Sequence, residues 1–326
     1  MIFSIAAGHR WLALAAVAAA GVAAAQYPER PIRLVVGFPA GGATDVVARV
    51  VGNHMSGTLG QQIVVENRTG AGATLAAQAV ATAAPDGYTV LAAALAHAVN
   101  PSLMQITTYD ARRDFAAVTL LTRLPTLMMV RPAAPYANVT ELVAYAKANP
   151  GKIKLAHGGL GTSSHLAGEM FVRRAGIGVV QVPFRGGAPA MQALLAGDAD
   201  LFFDAPQPAI GPNVAAGKLR LLAVMQNERM ARFPDVPPIM QALGQHPDLE
   251  VAAWNGILAP AKTPEAAIAK LNAAAVRALT DPEVRQRLEG LGMEVIGSSA
   301  ADFRAHYLAE LDRWSRVVKE ANLKAE

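Results

Sequence analysis

The sequence predicts an α/β protein of two lobes, because one local pattern recurs along much of the chain. The pattern is a short run of β-branched residues, a glycine-rich turn and an amphipathic helix, and it occurs twice in the first third of the chain and twice in the middle third. Strands that alternate with helices form layered sheets, and their loops gather at the carboxyl ends of the strands. We therefore expect these glycine-rich turns to meet in one cleft.

The first turn, Gly37–Asp45, follows the strand-like run Pro31–Val36 and precedes a helix. Glycine lets the backbone adopt unusual angles and lets a ligand approach closely. The unpaired N–H groups at the start of the helix favour an anion. An ordinary tight turn, with Thr44 or Asp45 capping the helix, is the alternative.

Three further units repeat this pattern. Strand 62–66 leads through Asn67–Gly72 to an alanine-rich helix at 73–83. Strand 152–157 leads through Gly158–His165 to a helix ending near 175, and strand 179–184 leads through 185–188 to another helix. A strand at 88–93, followed by His97, completes the first group. We expect mostly parallel strands in this layer.

Two crossings divide the chain into lobes. The first lies near Pro125, between two strand-like runs, and the return lies at 254–259. We expect a discontinuous first lobe of residues 26–123 plus 251–326 and an inserted second lobe of residues 124–250, joined by a hinge. The proline-rich stretch at 232–247 is expected to be a surface connection. The C-terminal helices are expected to be structural.

Residues 1–25 are typical of a secretory signal peptide. His9 and Arg10 precede a short apolar run, and Ala23–Ala25 fits a cleavage site. Cleavage after Ala25 would place the mature protein in the periplasm, and an uncleaved anchor is the alternative. The mature chain would have 301 residues (326 minus 25) and a net charge of 28 minus 25, or +3.

Composition excludes several classes of function. The chain has no cysteine, which removes disulfides, thiol catalysis, cysteine metal sites and lipid attachment through an N-terminal cysteine. The small positive charge, without a basic run, argues against nucleic acid as a partner. With no second long apolar segment, the mature protein is not expected to be inserted in a membrane.

Motifs in a fixed order resemble those of one known family. They are Tyr27–Arg33, Gly37–Asp45, Glu66–Gly72, Pro85–Thr89, Asn100–Ser102, Gly161–Leu166, Pro183–Pro189 and Gly217–Val224. Together they resemble the extracytoplasmic receptors of tripartite tricarboxylate transporters, the Bug or TctC family. The resemblance implies a two-lobed periplasmic-binding-protein fold, type II-like, with the ligand cleft between the lobes. It further implies a receptor that closes on a small carboxylate and delivers it to the membrane subunits of a tripartite permease.

The chain departs from the family pattern at three positions. Thr69 stands where the family usually has proline, and Ala73 stands where it usually has glycine. Phe184 replaces a common tyrosine and has no hydroxyl group to donate. These departures affect the shape of the second loop and the identity of the ligand.

The candidate ligand-binding residues come from both lobes. Backbone N–H groups and bridging waters are expected to hold the ligand in the first lobe. Hydroxyl groups and a bidentate arginine are expected to do so in the second, with Asp204 available to an ammonium group. Helix capping and a solvated surface arginine are the alternatives for these second-lobe side chains. The candidates are Phe38, Ala40, Gly41, Gly42, Thr44, Gly70, Ala71, Gly72, His97, Thr162, Ser163, Ser164, Arg185, Gly186, Gly187 and Asp204.

Catalysis and cofactors are not expected. A hydrolase built on Ser163 or Ser164 with His165 is a remote alternative, because the nucleophile elbow needs glycine where His165 stands. The histidines show no metal-ligand spacing, and no lysine precedes the hydroxyl residues as in a phosphate loop. The favoured function is a transport receptor, and a sensor that docks on a membrane signalling protein is the main alternative. Citrate, a dicarboxylate, an acidic amino acid and an aromatic acid all remain open as ligands.

Overall fold

The computed structural model describes residues 27–105, 108–159, 161–184, 186–206, 209–244, 249–320 and 322–323. The predicted signal peptide with its cleavage site after Ala25 lies outside the described residues, and so does the candidate residue Arg185.

The described chain forms two α/β lobes, each built on one mixed sheet. The strands of the first sheet are β1 (Ile32–Val36), β2 (Ile63–Asn67), β3 (Thr89–Ala94), β4 (Phe115–Pro125), β10 (Ala252–Pro260) and β11 (Glu294–Val295). The strands of the second are β5 (Leu127–Val130), β6 (Lys154–His157), β7 (Val180–Pro183), β8 (Leu201–Asp204) and β9 (Arg220–Val224). Their spatial orders are β11-β4-β10-β3-β1-β2 and β7-β6-β8-β5-β9.

Helices cover the faces of the sheets. They are α1 (Ala43–Leu59), α2 (Thr74–Ala81), α3 (Ala96–Leu103), α4 (Val139–Ala148), α5 (Ser163–Ala175), α6 (Gly187–Ala196), α7 (Ile210–Ala215), α8 (Met240–Leu243), α9 (Glu265–Thr280), α10 (Pro282–Gly290) and α11 (Ala300–Glu320). Within the described ranges, no helix combines the length and the apolar composition needed to cross a bilayer.

The strands that carry the crossings run antiparallel, so the expectation of a mostly parallel sheet is wrong. The strands of the repeating units are parallel, β1 with β2 and β3, and β6 with β7 and β8. In contrast, β4 and β10 pair antiparallel along their whole length, from Ala252 opposite Pro125 to Pro260 opposite Phe115. One strand leaves the first lobe and the other returns to it, so opposite directions follow from the insertion.

The two crossings lie side by side. The Thr126 N–H donates to the Val251 carbonyl at 3.0 Å, and the Thr126 carbonyl accepts from the Met225 N–H at 2.8 Å. Only Thr126 separates β4 from β5, and Val251, whose carbonyl accepts from Thr126 N–H, directly precedes β10. Such a pair of adjacent connections suits a hinge.

The proline-rich stretch at 232–247 is not simply a surface connection. The Val224 N–H donates to the Pro237 carbonyl, and the Ile239 N–H donates to the Val224 carbonyl, both at 2.9 Å. Ile239 and Met240 are buried in the core. Proline limits this segment to a short bridge beside β9, because it cannot donate to a ladder of hydrogen bonds.

Candidate functional site

A cavity of about 280 Å³ lies between the lobes, where loops from both sheets meet. The loops follow the carboxyl ends of β1 and β3 in the first lobe and of β6 and β8 in the second, as the sequence pattern predicts. The crossing strands β4 and β10 complete the wall. The lining residues are Phe38, Ala43, Thr44, Ala94, Leu95, Ala96, Leu124, Gly161, Thr162, Ser163, Ala205, Ala253, Trp254 and Asn255.

Three helices begin at this cavity. Ala43 and Thr44 open α1, Ala96 opens α3, and Ser163 opens α5, and all of them line the cavity. The N–H groups of a first helical turn have no partner within the helix, and the macrodipole places partial positive charge there. The cavity therefore has the electrostatics of an anion site without needing a charged side chain.

Asp45 organises the first loop, but it does not cap α1 in the expected way. The cap position belongs to Gly42, whose residue type offers no side chain, and Thr44 does not cap the helix either. The buried Asp45 carboxylate instead accepts from Gly41 N–H at 2.9 Å, from Arg49 at 3.0 Å and from Asn67 at 2.8 Å. Burial opposes ionisation, but these hydrogen bonds outweigh it and lower the pKa of Asp45.

The second loop, Gly70–Ala73, lies behind the cavity and does not line it. Ala71 and Ala73 have φ values of 45° and 75°, in the left-handed region that favours glycine. The resemblance noted above implies glycine where Ala73 stands, and this conformation suits glycine. Ala73 packs against Gly37 so closely that a Cβ built on Gly37 would lie 2.4 Å from the Ala73 Cβ. The Gly72 carbonyl accepts a hydrogen bond from the Asn100 side chain.

The three hydroxyl residues of the second lobe have three different environments. Thr162 caps α5, because its Oγ1 accepts from His165 N–H at 3.3 Å and also donates to the Gly159 carbonyl at 2.7 Å. The buried Ser164 Oγ accepts from Gly158 N–H at 3.3 Å and stabilises the loop. Within the described chain, the Ser163 hydroxyl has no hydrogen bond, and it lines the cavity. Ser163 is thus the hydroxyl that a ligand can reach.

Buried histidines support the loops from behind. The His97 Nδ1 accepts from Ala94 N–H at 3.0 Å, and its ring packs edge-on against Phe38 with centroids 6.2 Å apart. Burial lowers the pKa of His97 to about 4. The His165 Nδ1 accepts from Gly161 N–H at 3.3 Å, and burial, with a smaller effect of the adjacent His157, lowers its pKa to about 4.

Neither a catalytic pair nor a metal site is assembled in the described part of the chain. No hydrogen bond joins the hydroxyl of Ser163 or Ser164 to His165, whose Nδ1 is occupied by the loop. The described residues contain no cluster of histidine and carboxylate side chains that could hold a metal ion.

The structure brings four of the candidate residues to the cavity wall, namely Phe38, Thr44, Thr162 and Ser163. The Asp204 Oδ1 accepts from Ala205 N–H at 2.9 Å, so at least this oxygen is used within the loop. A larger groove of about 800 Å³ lies on the outer side of the first lobe, and no candidate residue lines it. The described candidates that do not line the cavity are Ala40, Gly41, Gly42, Gly70, Ala71, Gly72, His97, Ser164, Gly186, Gly187 and Asp204.

The crossing strands supply residues that sequence reasoning missed. Leu124, Trp254 and Asn255 all line the cavity. The Trp254 Nε1 donates to Glu310 Oε2 at 3.1 Å, on the side where a second cavity of about 200 Å³ begins. The only available signal was an aromatic residue at a predicted crossing, which is also where a cleft between lobes must lie.

Comparisons with known proteins agree on one family. A model described as the tripartite tricarboxylate transporter family receptor matches residues 47–323. The structure of the periplasmic binding protein BugD is 35% identical with a TM-score of 0.75, and the match covers 92% of this chain and 100% of BugD. Two structures from Rhodopseudomonas palustris contain a ligand. MatC with bound malate is 37% identical with a TM-score of 0.74, covering 90% of this chain and 100% of MatC. A protein with adipate is 33% identical with a TM-score of 0.77, covering 91% and 98%.

These relatives are solute-binding proteins, which confirms the prediction of a receptor and not an enzyme. Their fold is the two-lobed periplasmic-binding-protein fold predicted from the sequence. The chain belongs to the tripartite tricarboxylate transporter receptor family, the Bug or TctC family of periplasmic solute-binding proteins.

Proposed function

We propose that this protein captures a small carboxylate in the cavity between its lobes and delivers it to the membrane subunits of a tripartite permease. One observation carries the proposal: the N-termini of α1, α3 and α5 converge on a single cavity. The ligands in the related structures, malate and adipate, are carboxylates, which supports the same chemistry here. Export would follow cleavage after Ala25.

The lobes would close on the ligand by a hinge at the two crossings. The proposed moving bodies are residues 26–123 plus 251–326 and residues 124–250. The change of sheet between Pro125 and Leu127 supports this division. Gly161 and α3 belong to opposite lobes and are in close contact, because a Cβ on Gly161 would lie 2.8 Å from the Leu103 Cδ2. Contacts from both lobes exist only when they are close, so ligand binding would favour the closed state.

A charge placed at a helix start tests the site without harming the helix. In Ser163→Asp, an acidic residue in the first turn of α5 suits the macrodipole, so the free energy of unfolding should stay the same or rise slightly. The new carboxylate would repel a bound one, and we expect the carboxylate affinity to fall by about 100-fold or more. Calorimetry on the mature chain, refolded to remove any bound ligand, measures the affinity with each of several carboxylates.

Ala300→Asp is the matched control, because Ala300 opens α11 and does not line the cavity. It should leave the affinity unchanged. Binding that survives Ser163→Asp would contradict the proposed site. Uptake into cells that contain the permease, with and without this protein, tests delivery, and uptake independent of it would favour the sensor role instead.

A further inference from the structure

The walls of the cavity between the lobes are largely apolar. Four large side chains, those of Phe38, Leu95, Leu124 and Trp254, contribute to the wall, and five alanines fill the spaces between them. The polar lining residues are Thr44, Thr162, Ser163 and Asn255. None of the described lining residues is charged. Among the described lining residues, polar groups therefore cluster at the helix starts and at one strand position, and the other side chains are hydrocarbon apart from the indole nitrogen of Trp254.

Two polar atoms of the wall residues are already paired with other protein atoms. The indole nitrogen of Trp254 donates to Glu310, so its one polar atom is already bound. The ring of Trp254 is held edge-on by Phe303 and Tyr307, with centroids 5.7 and 6.1 Å away. The Asn255 amide nitrogen donates to Thr122 Oγ1 at 3.1 Å. Behind Phe38, the buried His97 is a neutral ring and not a cation at neutral pH.

A second carboxylate would meet an unfavourable environment on this wall. An ionised group that loses water without gaining a partner is strongly disfavoured. An apolar body of matching size would gain from leaving water, and aromatic rings favour the edge-on contacts that Phe38 and Trp254 can provide. At roughly 30 Å³ per water molecule, a cavity of about 280 Å³ holds about nine waters, or a ligand of about ten non-hydrogen atoms.

We infer that the ligand is a monocarboxylate of about ten non-hydrogen atoms in total, with an apolar and preferably aromatic body. Its carboxylate lies at the starts of α1, α3 and α5, and its body lies against Phe38, Leu124 and Trp254. This inference rests on the proposed function, since it names the ligand class of the same site. It separates this chain from relatives whose structures contain malate or adipate, both of which carry a carboxylate at each end.

Calorimetric titration of the refolded mature chain with phenylacetate, hexanoate, malate, adipate and citrate tests the inference. We expect phenylacetate to bind at least about 30-fold more tightly than malate or citrate, because their additional carboxylates lose water against the apolar wall. Tighter binding of malate, adipate or citrate would overturn the inference and leave the carboxylate receptor intact. If no carboxylate binds, the proposed function fails and the inference fails with it.

Phe38→Ser sharpens the test, because Phe38 is only half-buried and its loss should leave the core intact. We expect phenylacetate affinity to fall by about tenfold, with malate affinity unchanged or higher. Ile296→Ser is the matched control, since Ile296 is an exposed apolar residue outside the cavity, and it should change neither affinity. Equal losses for phenylacetate and malate in Phe38→Ser would overturn the assignment of Phe38 to the ligand's apolar body.

Discussion

Trp254 separates two cavities of opposite character. On one side, the cavity between the lobes has apolar walls, helix starts and no charged residue among its described lining. On the other side, the smaller cavity is lined by Arg123, Glu250, His306, Glu310 and Arg313. The difference indicates a division of tasks. Full charges lie where side chains of the protein pair with one another, and weaker dipoles lie at the proposed ligand site.

The charged side chains that line the smaller cavity connect α11 to both crossings. Glu310 accepts from Trp254 Nε1 at 3.1 Å and from Trp314 Nε1 at 3.0 Å. Arg313 bonds Glu310 within α11 and the Glu250 carbonyl at the return crossing. The Glu250 carboxylate in turn pairs with Arg123, near the end of β4. The ring of Trp254, which lines the cavity between the lobes, is thus oriented by charged groups that lie outside that cavity.

Acid should reduce the contrast between the two cavities, because it protonates the neutral histidines His97 and His165 near the cavity between the lobes. His97 and His165 have a pKa of about 4 in the fold, against an ordinary value of 6.5. The unfolded chain therefore binds more protons between these values. The contribution of the two histidines to the free energy of unfolding is present above pH 6.5 and is lost as the pH is lowered toward 4. We expect a loss on the order of 5 kcal/mol for both histidines together. Urea unfolding across this pH range measures it.

His97→Asn and His165→Asn, combined in one variant, provide the control for acid. The asparagine amide can replace Nδ1 as an acceptor but does not titrate. The slope of stability against pH should be flatter in this variant between pH 6.5 and 4. An unchanged slope would show that other groups cause the acid response.

Glu310→Ala should disrupt the charged cluster that lines the smaller cavity. The substitution leaves two indole N–H groups and the Arg313 guanidinium without this buried carboxylate. Removing one partner of a buried ion pair typically costs about 3–5 kcal/mol, and we expect a loss of unfolding free energy in that range. Urea denaturation checks it. Glu289→Ala, which removes an exposed pair with Arg285, should have little effect, and equal losses would contradict the distinction.

Thr122→Val should cause the smallest loss, because it removes a neutral hydrogen bond next to the ligand cavity. Thr122 and Asn255 are both buried, and the valine leaves the Asn255 amide without its acceptor. We expect a loss of about 1 kcal/mol in urea unfolding. Thr126→Val is the matched control, because the buried Thr126 hydroxyl has no partner in the described chain, and stability should stay the same or rise. A loss as large in Thr126→Val would refute the role of the hydrogen bond.

The strand-turn-helix units could be read from the sequence because their signals are local. A run of β-branched residues, a glycine turn and an apolar helix face are each contained within a few residues, and the structure has all four units. The direction of the crossing strands had no such signal. It depends on the pairing of β4 with β10, whose residues are far apart in the sequence.

The reach of local signals also explains which of the predicted residues line the cavity. Phe38 and Ser163 were found because they lie in glycine-rich turns, but Gly70–Gly72 follow the same pattern and do not line the cavity. Their strand, β2, is at the edge of the sheet, beyond β1 from β3, and each step across a sheet is about 4.8 Å. Trp254 was missed because its neighbours across β4 and α11 are defined only by tertiary packing.

The contact between Ala73 and Gly37 limits the substitutions that the first loop can accept. Ala73 keeps its side chain in a left-handed conformation, and that side chain occupies the space a residue larger than glycine would need at position 37. The backbone Cα of Ala73 would also lie 2.9 Å from a Cβ at position 37, so Ala73→Gly alone would not make room, and a larger residue at 37 needs a shift of the second loop's backbone. We therefore expect strong epistasis between the two positions. The backbone of the second loop thereby constrains which residues the first loop can accept.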